Sequence, residues 1–138
     1  MSEILNGKIA IVTGSGQGIG RAVAEDLAAH GAKILVVDPG LSLDGNVENA
    51  SLADEVVDGI IKAGGEAKAN KSSVASFESG QEIVQDALDS FGRLDIVVTV
   101  AGILRDRMIF NMTEEEWHDV IDVHLTGTFS IIRHAAPI

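Results

Sequence analysis

A glycine-rich stretch near the N-terminus, Thr13-Gly-Ser-Gly-Gln-Gly-Ile-Gly20, constrains the fold more than any other part of the sequence. It follows an apolar run with β-branched residues (8–13) and leads directly into a segment with helical periodicity (18–30). Glycines let a chain turn sharply and approach a bulky anion, and the following helix N-terminus offers unpaired N–H groups. This arrangement predicts an anion-binding βα turn; a turn with glycines for helix packing only is the alternative.

The spacing of the glycines distinguishes between known phosphate-binding turns. The pattern G-x-G-x-x-G fails because position 19 is Ile and position 21 is Arg. The P-loop pattern fails because no Gly-Lys-Ser/Thr follows. The turn matches T-G-x-x-x-G-x-G, with glycines at Gly14, Gly18 and Gly20. A pyrophosphate is the anion that we expect it to hold.

The rest of the chain alternates short apolar runs with helical periodicity. Strands are predicted at 8–13, 33–37, 66–70 and 94–100, and helices at 18–30, 51–63, 76–91 and 113–136, the last with a break. Residues 38–49 hold Pro39, Gly40 and Gly45 and are predicted to form a loop. Strands joined by helices predict a single doubly wound α/β domain of Rossmann type, with a parallel sheet ordered 3-2-1-4.

Some side chains are assigned to the core from periodicity alone. In the first helix the apolar stripe is Ile19, Ala22, Val23, Leu27 and Ala28. The fourth helix is expected to begin at a capping box, Thr113-x-x-Glu116, and to turn Trp117 inward. The fourth strand has continuous apolar content, which predicts burial on both faces.

Charge and composition exclude several function classes. The 138 residues include 10 basic and 21 acidic side chains, a net charge of −11, so neither nucleic acid nor an anionic membrane is an expected partner. The absence of cysteine excludes disulfides, thiol nucleophiles and Cys-ligated metals. No signal peptide or membrane-spanning run is visible, so a cytoplasmic location is expected.

An acidic residue at the end of the second strand suggests which nucleotide binds. Asp38 lies eighteen residues beyond Gly20, where a carboxylate accepts hydrogen bonds from adenosine ribose hydroxyls and repels a 2′-phosphate. No Arg or Lys follows it, and Ser15 and Gln17 in the turn are neutral. NAD rather than NADP is therefore predicted. The alternative is a turn-forming Asp before Pro39.

These motifs resemble the short-chain dehydrogenase/reductase family. Thr13–Gly20 looks like its cofactor turn, and LDIVVTVAGI at 94–103 looks like its L-D-x-x-V-N-N-A-G-I motif. The stretches AGILRDRM at 101–108, VVDPG at 36–40 and VHLTG at 123–127 are similar to the branch with the hydroxyacyl-CoA dehydrogenase region of peroxisomal multifunctional enzymes. The resemblance covers nearly the whole chain.

The resemblance implies an NAD-dependent oxidoreductase that interconverts a secondary alcohol, such as a 3-hydroxyacyl-CoA, and a ketone. It implies a homo-oligomer, and it makes His124 the counterpart of an asparagine in the family's catalytic tetrad. For His124, a core or interface role is the alternative. The cofactor-binding residues that the motifs and the resemblance together predict are Gly14, Ser15, Gln17, Gly18, Ile19, Gly20, Asp38, Ser73, Val74, Ala101 and Gly102.

The sequence departs from the family pattern in places that matter for function. The family's paired asparagines are Thr99 and Val100 here, and the aspartate that contacts adenine is Ser73. The family's acid/base group is the tyrosine of Tyr-x-x-x-Lys, and this chain has no tyrosine. Residues 1–138 are thus expected to be the dinucleotide-binding half of a domain, with the catalytic segment elsewhere. The alternatives are a truncated, catalytically inactive nucleotide-binding fragment and, less favoured, an interaction protein that binds no nucleotide.

Three weaker patterns leave choices open. Arg105, Asp106 and Arg107 follow the fourth strand and either meet an acidic substrate such as a CoA phosphate or pair with local carboxylates. Glu115-x-x-His118 is interpreted as a solvated polar face rather than a metal site, because no second such motif exists. The fourth strand would lie at an unprotected sheet edge, to be covered by a fifth strand or another chain, or else to aggregate.

Overall fold

The computed structural model describes residues 3–42, 45–46 and 48–138. The strands are β1 (Ile9–Thr13), β2 (Lys33–Val37), β3 (Glu66–Asn70) and β4 (Ile96–Thr99), and the helices are α1 (Gly18–Ala29), α2 (Leu52–Lys62), α3 (Phe77–Phe91), α4 (Glu114–Ile121) and α5 (Gly127–Ala135). Each predicted strand and helix is confirmed, with ends that shift by at most two residues. The predicted loop 38–49 includes positions 43, 44 and 47, which lie outside the described residues.

The four strands form one parallel sheet in the order β3-β2-β1-β4, as predicted. Val12 in β1 pairs with Val36 in β2 and with Val98 in β4. All strands therefore end at the same edge, where ligands bind in open parallel sheets. In the part of the chain that the structure describes, no helix is long and apolar enough to cross a membrane.

Helices cover both faces of the sheet because alternate strand residues point to opposite sides. On one face, Val12 and Val36 are buried against Ala24 of α1 and Val56 of α2. On the other face, Ile11 and Leu35 of the strands are buried against Ile83 and Val84 of α3 and Ile131 of α5. The core is thus a three-layer α/β sandwich that holds the strand ends fixed.

Three burial predictions are wrong. Every residue of β4 is only partly buried, because β4 is an edge strand and its outer side has no neighbour among the described residues. Ile19 is 76% exposed and Ala22 is also exposed, because helix α1 turns Gly20 and Ala24 toward the sheet instead. Trp117 is 54% exposed, because Val120, not Trp117, packs against the core.

The predicted break in the last helical segment is a π-helical turn at Asp122–Thr126, between α4 and α5. Such turns insert one extra residue per hydrogen-bonded ring and often occur at functional sites. The predicted capping box at the start of α4 is confirmed: Thr113 Oγ1 accepts from Glu116 N, and Glu116 Oε2 accepts from Thr113 N. Local sequence therefore fixed where α4 begins.

Candidate functional site

A cavity of about 390 Å³ lies at the carboxyl ends of the strands, beside the glycine-rich turn. Its walls come from five places, namely that turn, the end of β2 with the loop after it, the segment after β3, the end of β4 with the residues after it, and the π-helical turn. The lining residues are Gly14, Gln17, Gly18, Ile19, Gly20, Val37, Asp38, Pro39, Leu41, Ser42, Ser73, Val74, Val100, Ala101, Gly102, Ile103 and Val123.

The glycines of the turn are required by geometry. Gly14 and Gly18 have φ of +63° and +57°, a left-handed conformation that other residues rarely adopt. A Cβ at Gly14 would lie 2.8 Å from the Cα of Ala101, so the turn and the end of β4 are in close contact. A Cβ at Gly20 would overlap the carbonyl oxygen of Gly14. The backbone of the turn is therefore compact and open toward the cavity.

Helix α1 begins at this turn with its N–H groups available. Its N-cap, Gln17, has an extended backbone, and no side chain caps the helix. The side chain of Gln17 instead reaches the carbonyl oxygen of Leu41, at 3.4 Å. Uncapped N–H groups and the positive end of the helix dipole favour an anion at this position. The turn is thus chemically suited to a phosphate or pyrophosphate.

Asp38 is the acidic residue among those that line the cavity. It is only 6% exposed, and both carboxylate oxygens already accept backbone hydrogen bonds. Gly16 N donates to Oδ2 at 2.8 Å, and Gly40 N donates to Oδ1 at 2.7 Å. Each oxygen keeps a second acceptor position for a ligand hydroxyl. The lining residues that the structure describes include no Lys or Arg.

Four further predicted residues lie in the cavity wall. Val74 is buried, whereas Ser73 is exposed and its hydroxyl accepts a hydrogen bond from Ala75 N at 3.2 Å. Ala101 and Gly102 lie opposite the glycine turn, at the end of β4. The structure therefore brings together the four sequence regions for which a ligand role was predicted.

Ser15 and His124 were also predicted as site residues, but the structure does not bring their side chains to the cavity. Ser15 is fully buried, and its hydroxyl donates to Val12 O at 2.6 Å and accepts from Val37 N at 3.1 Å. These bonds join the glycine turn to β1 and β2, because the hydroxyl lies beneath the turn. The Ser15 side chain thus braces the turn, and a role for Ser15 in cofactor binding stays a prediction.

His124 is exposed, and its imidazole contacts the segment that follows β4. Its Nε2 lies 3.1 Å from Ile103 N and 2.9 Å from Ile103 O, so either tautomer makes one of these hydrogen bonds. A Cβ at Gly102 would lie 2.6 Å from Cε1 of His124. His124 therefore supports the segment that follows β4, and its catalytic role stays a prediction.

Thr13 joins the end of β1 to the end of β4. Its hydroxyl oxygen accepts hydrogen bonds from Val100 N at 3.1 Å and Ala101 N at 3.2 Å. Thr13 is buried, at 1% exposure, and this pair of hydrogen bonds holds the end of β4 against β1. A side chain of β1 thus fixes the part of β4 that lines the cavity.

The basic residues after β4 pair with carboxylates of α4. Arg105 contacts Asp119 at 3.0 Å, and Arg107 contacts Glu116 in a second ion pair. Both pairs correspond to the local alternative that the sequence left open. Within 3–42, 45–46 and 48–138 no group of three or more metal-ligating side chains occurs.

Sequence reasoning missed seven residues of the cavity wall. They are Val37, Pro39, Leu41, Ser42, Val100, Ile103 and Val123. Five of them are neighbours of predicted site residues in sequence or stand next to them at a strand end, so adjacency was the available signal. Leu41 and Ser42 gave none, because the path of the loop after β2 depends on tertiary contacts.

The family model and two curated relatives that match this chain are named as dehydrogenases. A family model described as short chain dehydrogenase matches residues 8–138. A peroxisomal hydratase-dehydrogenase-epimerase from Saccharomyces cerevisiae is 45% identical over 130 residues, which cover 94% of this chain and 14% of the yeast protein. A hydroxyacyl-CoA dehydrogenase from Mycobacterium tuberculosis is 43% identical over 132 residues, covering 96% of this chain and 40% of the relative.

A solved structure agrees with the fold. A short chain dehydrogenase from Mycobacterium paratuberculosis bound to NAD superposes with a TM-score of 0.87 at 31% identity. The match covers 96% of this chain and 51% of that chain. This chain therefore spans about half of that structure and less than half of the two curated relatives. The match of the family model over almost all of its residues shows that the chain belongs to the short-chain dehydrogenase family.

Proposed function

We propose that this chain supplies the NAD-binding part of an oxidoreductase. The enzyme interconverts a secondary alcohol, a 3-hydroxyacyl-CoA, with the corresponding ketone. The single observation that carries the proposal is the cavity in which the glycine turn, the uncapped start of α1 and the carboxylate of Asp38 meet. The name of the Mycobacterium tuberculosis relative supports the substrate class. The NAD bound in the Mycobacterium paratuberculosis structure supports the cofactor.

The residues present fit a dinucleotide part by part. The backbone of Gly18, Ile19 and Gly20 would face the pyrophosphate, because it forms the first turn of α1. Asp38 would accept hydrogen bonds from the adenosine ribose, while Ser73 and Val74 would flank the adenine. When bound, NAD supplies hydride acceptance at its nicotinamide ring, and the protein orients it.

Charge supports NAD over NADP. A 2′-phosphate would lie beside the carboxylate of Asp38, and none of the described lining residues is a Lys or Arg that could neutralise it. A buried carboxylate that holds two backbone N–H groups cannot easily turn away. We therefore propose NAD as the physiological cofactor.

The proton-transfer step requires residues beyond these 138. The family's acid/base tyrosine has no counterpart here, since the sequence contains no tyrosine. We propose that this group belongs to further sequence of the same polypeptide. Length supports this, because the chain covers only 14% and 40% of the two curated relatives.

The exposed apolar side chains of α5, Phe129 and Ile132, support association into a homo-oligomer. A cytoplasmic location remains a proposal, and one relative is named peroxisomal.

Calorimetry on the full polypeptide tests the proposal. We expect NAD to bind at least about tenfold more tightly than NADP, since one unfavourable charge contact is worth about that factor. Addition of a 3-hydroxyacyl-CoA to the NAD complex should then produce NADH. Failure to bind either dinucleotide would overturn the proposed function. Tighter binding of NADP would overturn only the choice of cofactor.

A further inference from the structure

We propose that Asp38 is also the positioning residue of the glycine-rich turn: its carboxylate holds the turn in its ligand-binding shape before any ribose is present. The inference rests on the proposed function for its ligand. It differs from that function in assigning Asp38 an effect on the pyrophosphate end of the site, which its carboxylate does not touch.

Two backbone hydrogen bonds carry the inference. Gly16 N, in the middle of the turn, donates to Asp38 Oδ2 at 2.8 Å, and Gly40 N donates to Oδ1 at 2.7 Å. Gly40 in turn accepts from Glu48 N and Asn49 N, which lead into α2. One buried carboxylate thus joins the turn to the loop after β2. Hydrogen bonds to an ionised acceptor are stronger than neutral ones.

The packing at Gly16 shows how closely the carboxylate is fitted. A Cβ at Gly16 would lie 2.7 Å from Oδ2 of Asp38 and 2.8 Å from the Cβ of Leu52. The φ angle of Gly16 is not positive, so contact with Asp38 and Leu52, rather than backbone conformation, requires glycine at this position. The turn therefore rests directly on the Asp38 side chain.

Ser15 and Gln17, on either side of Gly16, make further hydrogen bonds from the turn; the Gln17 side chain makes the longer one, 3.4 Å to Leu41 O. Ser15 N donates to Val37 O at 3.3 Å, and the Ser15 hydroxyl accepts from Val37 N. At Gly16, Asp38 accepts the backbone hydrogen bond that ties the turn to the residue directly after β2. Loss of this bond should loosen the backbone that leads into Gly18 and Ile19, and both residues line the cavity.

A ligand that lacks the ribose hydroxyls separates positioning from direct contact. The probes are ADP and 2′,3′-dideoxy-ADP, titrated calorimetrically into the full polypeptide and its Asp38→Ala variant. If Asp38 only contacts the ribose, both proteins bind dideoxy-ADP equally. We expect the variant to bind dideoxy-ADP about tenfold more weakly, because a buried charge-assisted hydrogen bond is lost. Removal of a negative charge alone would strengthen binding of a phosphate, so equal or tighter binding overturns the inference.

Hydrogen–deuterium exchange of the unliganded proteins gives a readout that does not depend on nucleotide. We expect residues 14–18 to exchange faster in Asp38→Ala, while residues 9–12 in the centre of the sheet keep their protection. Unchanged exchange at 14–18 would contradict the inference. Asp58→Ala is the matched control, because Asp58 is an exposed carboxylate on α2 that does not line the cavity, and it should leave both measurements unchanged. If the parent protein bound no ADP, the proposed function would fail, and exchange would still decide the role of Asp38.

Discussion

Ser130 of α5 lies so close to Gly80 of α3 that a methyl group at position 80 would overlap the serine hydroxyl. Both residues are buried, and the hydroxyl donates a hydrogen bond to Phe77 O at the start of α3. The contact sets the distance between the two helices that cover one face of the sheet.

This contact predicts opposite effects for two glycine-to-alanine substitutions in helices. Gly80→Ala should lower the free energy of unfolding by about 1–3 kcal/mol, because the methyl group forces α3 and α5 apart. Gly59→Ala is the matched control, since a Cβ at Gly59 has no atom within 4 Å and Gly59 lies inside α2. It should raise the free energy of unfolding by about 0.5–1 kcal/mol through helix propensity. Urea denaturation measures both, and equal effects of the two substitutions would refute the packing argument.

The hydroxyl of Thr13 should contribute more to the free energy of unfolding than its methyl group does. Thr13→Val keeps the shape but leaves the amides of Val100 and Ala101 without their acceptor, so the free energy of unfolding should fall by about 1–3 kcal/mol. Thr13→Ser keeps the acceptor and should cost less. Chemical denaturation of the two variants checks the order, and a valine variant as stable as the serine variant would contradict it.

The free energy of unfolding should depend on pH through the ionisation of Asp86 in α3. Burial alone would raise the pKa of Asp86, but hydrogen bonds from Lys68 and Asn70 of β3 outweigh it, and the pKa lies below its ordinary value. A lowered folded-state pKa stabilises the fold above the unfolded-state pKa of about 4, and the effect disappears as pH falls through the folded-state pKa.

Asp86→Asn should therefore cost about 1 kcal/mol near neutral pH and almost nothing in strong acid. Urea denaturation across the acidic range measures the difference from the parent protein. Asp89→Asn serves as the control, because it removes a carboxylate from the same helix that accepts a hydrogen bond from Gln85 and takes part in no described ion pair. A cost for Asp86→Asn that persists unchanged in acid would argue against the ion pair with Lys68.

The role of His124 can be separated from general packing by two substitutions. Asparagine offers both an N–H donor and a carbonyl acceptor, so His124→Asn should preserve the bonds to Ile103 and leave NAD affinity nearly unchanged. His124→Leu removes the one hydrogen bond that the imidazole makes to Ile103 and should weaken NAD binding about fivefold, since a typical hydrogen bond is worth about 1 kcal/mol. Calorimetry on the full polypeptide distinguishes them, and equal affinity of both variants would exclude the supporting role.

Local patterns were sufficient wherever a residue acts through its own neighbours in sequence. The capping box Thr113–Glu116, the strand β3 and the glycine turn were all predicted from spacing, because caps and turns depend on a few adjacent residues. The NAD-binding role of Asp38 remains a prediction from the same kind of signal. The core assignment of Ile19 was wrong for the opposite reason, since which side of a helix meets the sheet depends on packing.

The sequence by itself determined the order of strands and helices, the parallel sheet and the edge at which a ligand would bind, because hydrophobic periodicity and chain connectivity leave few other arrangements. Only the tertiary structure decided that the Asp38 carboxylate accepts hydrogen bonds from Gly16 N and Gly40 N. The same is true of the Thr13 hydroxyl, which accepts from Val100 N and Ala101 N. These contacts join residues 22 to 88 positions apart, with the short Asp38–Gly40 link as the exception. Hydrogen bonds over such separations form only once the sheet has fixed the strand ends, and no local pattern in the chain encodes them.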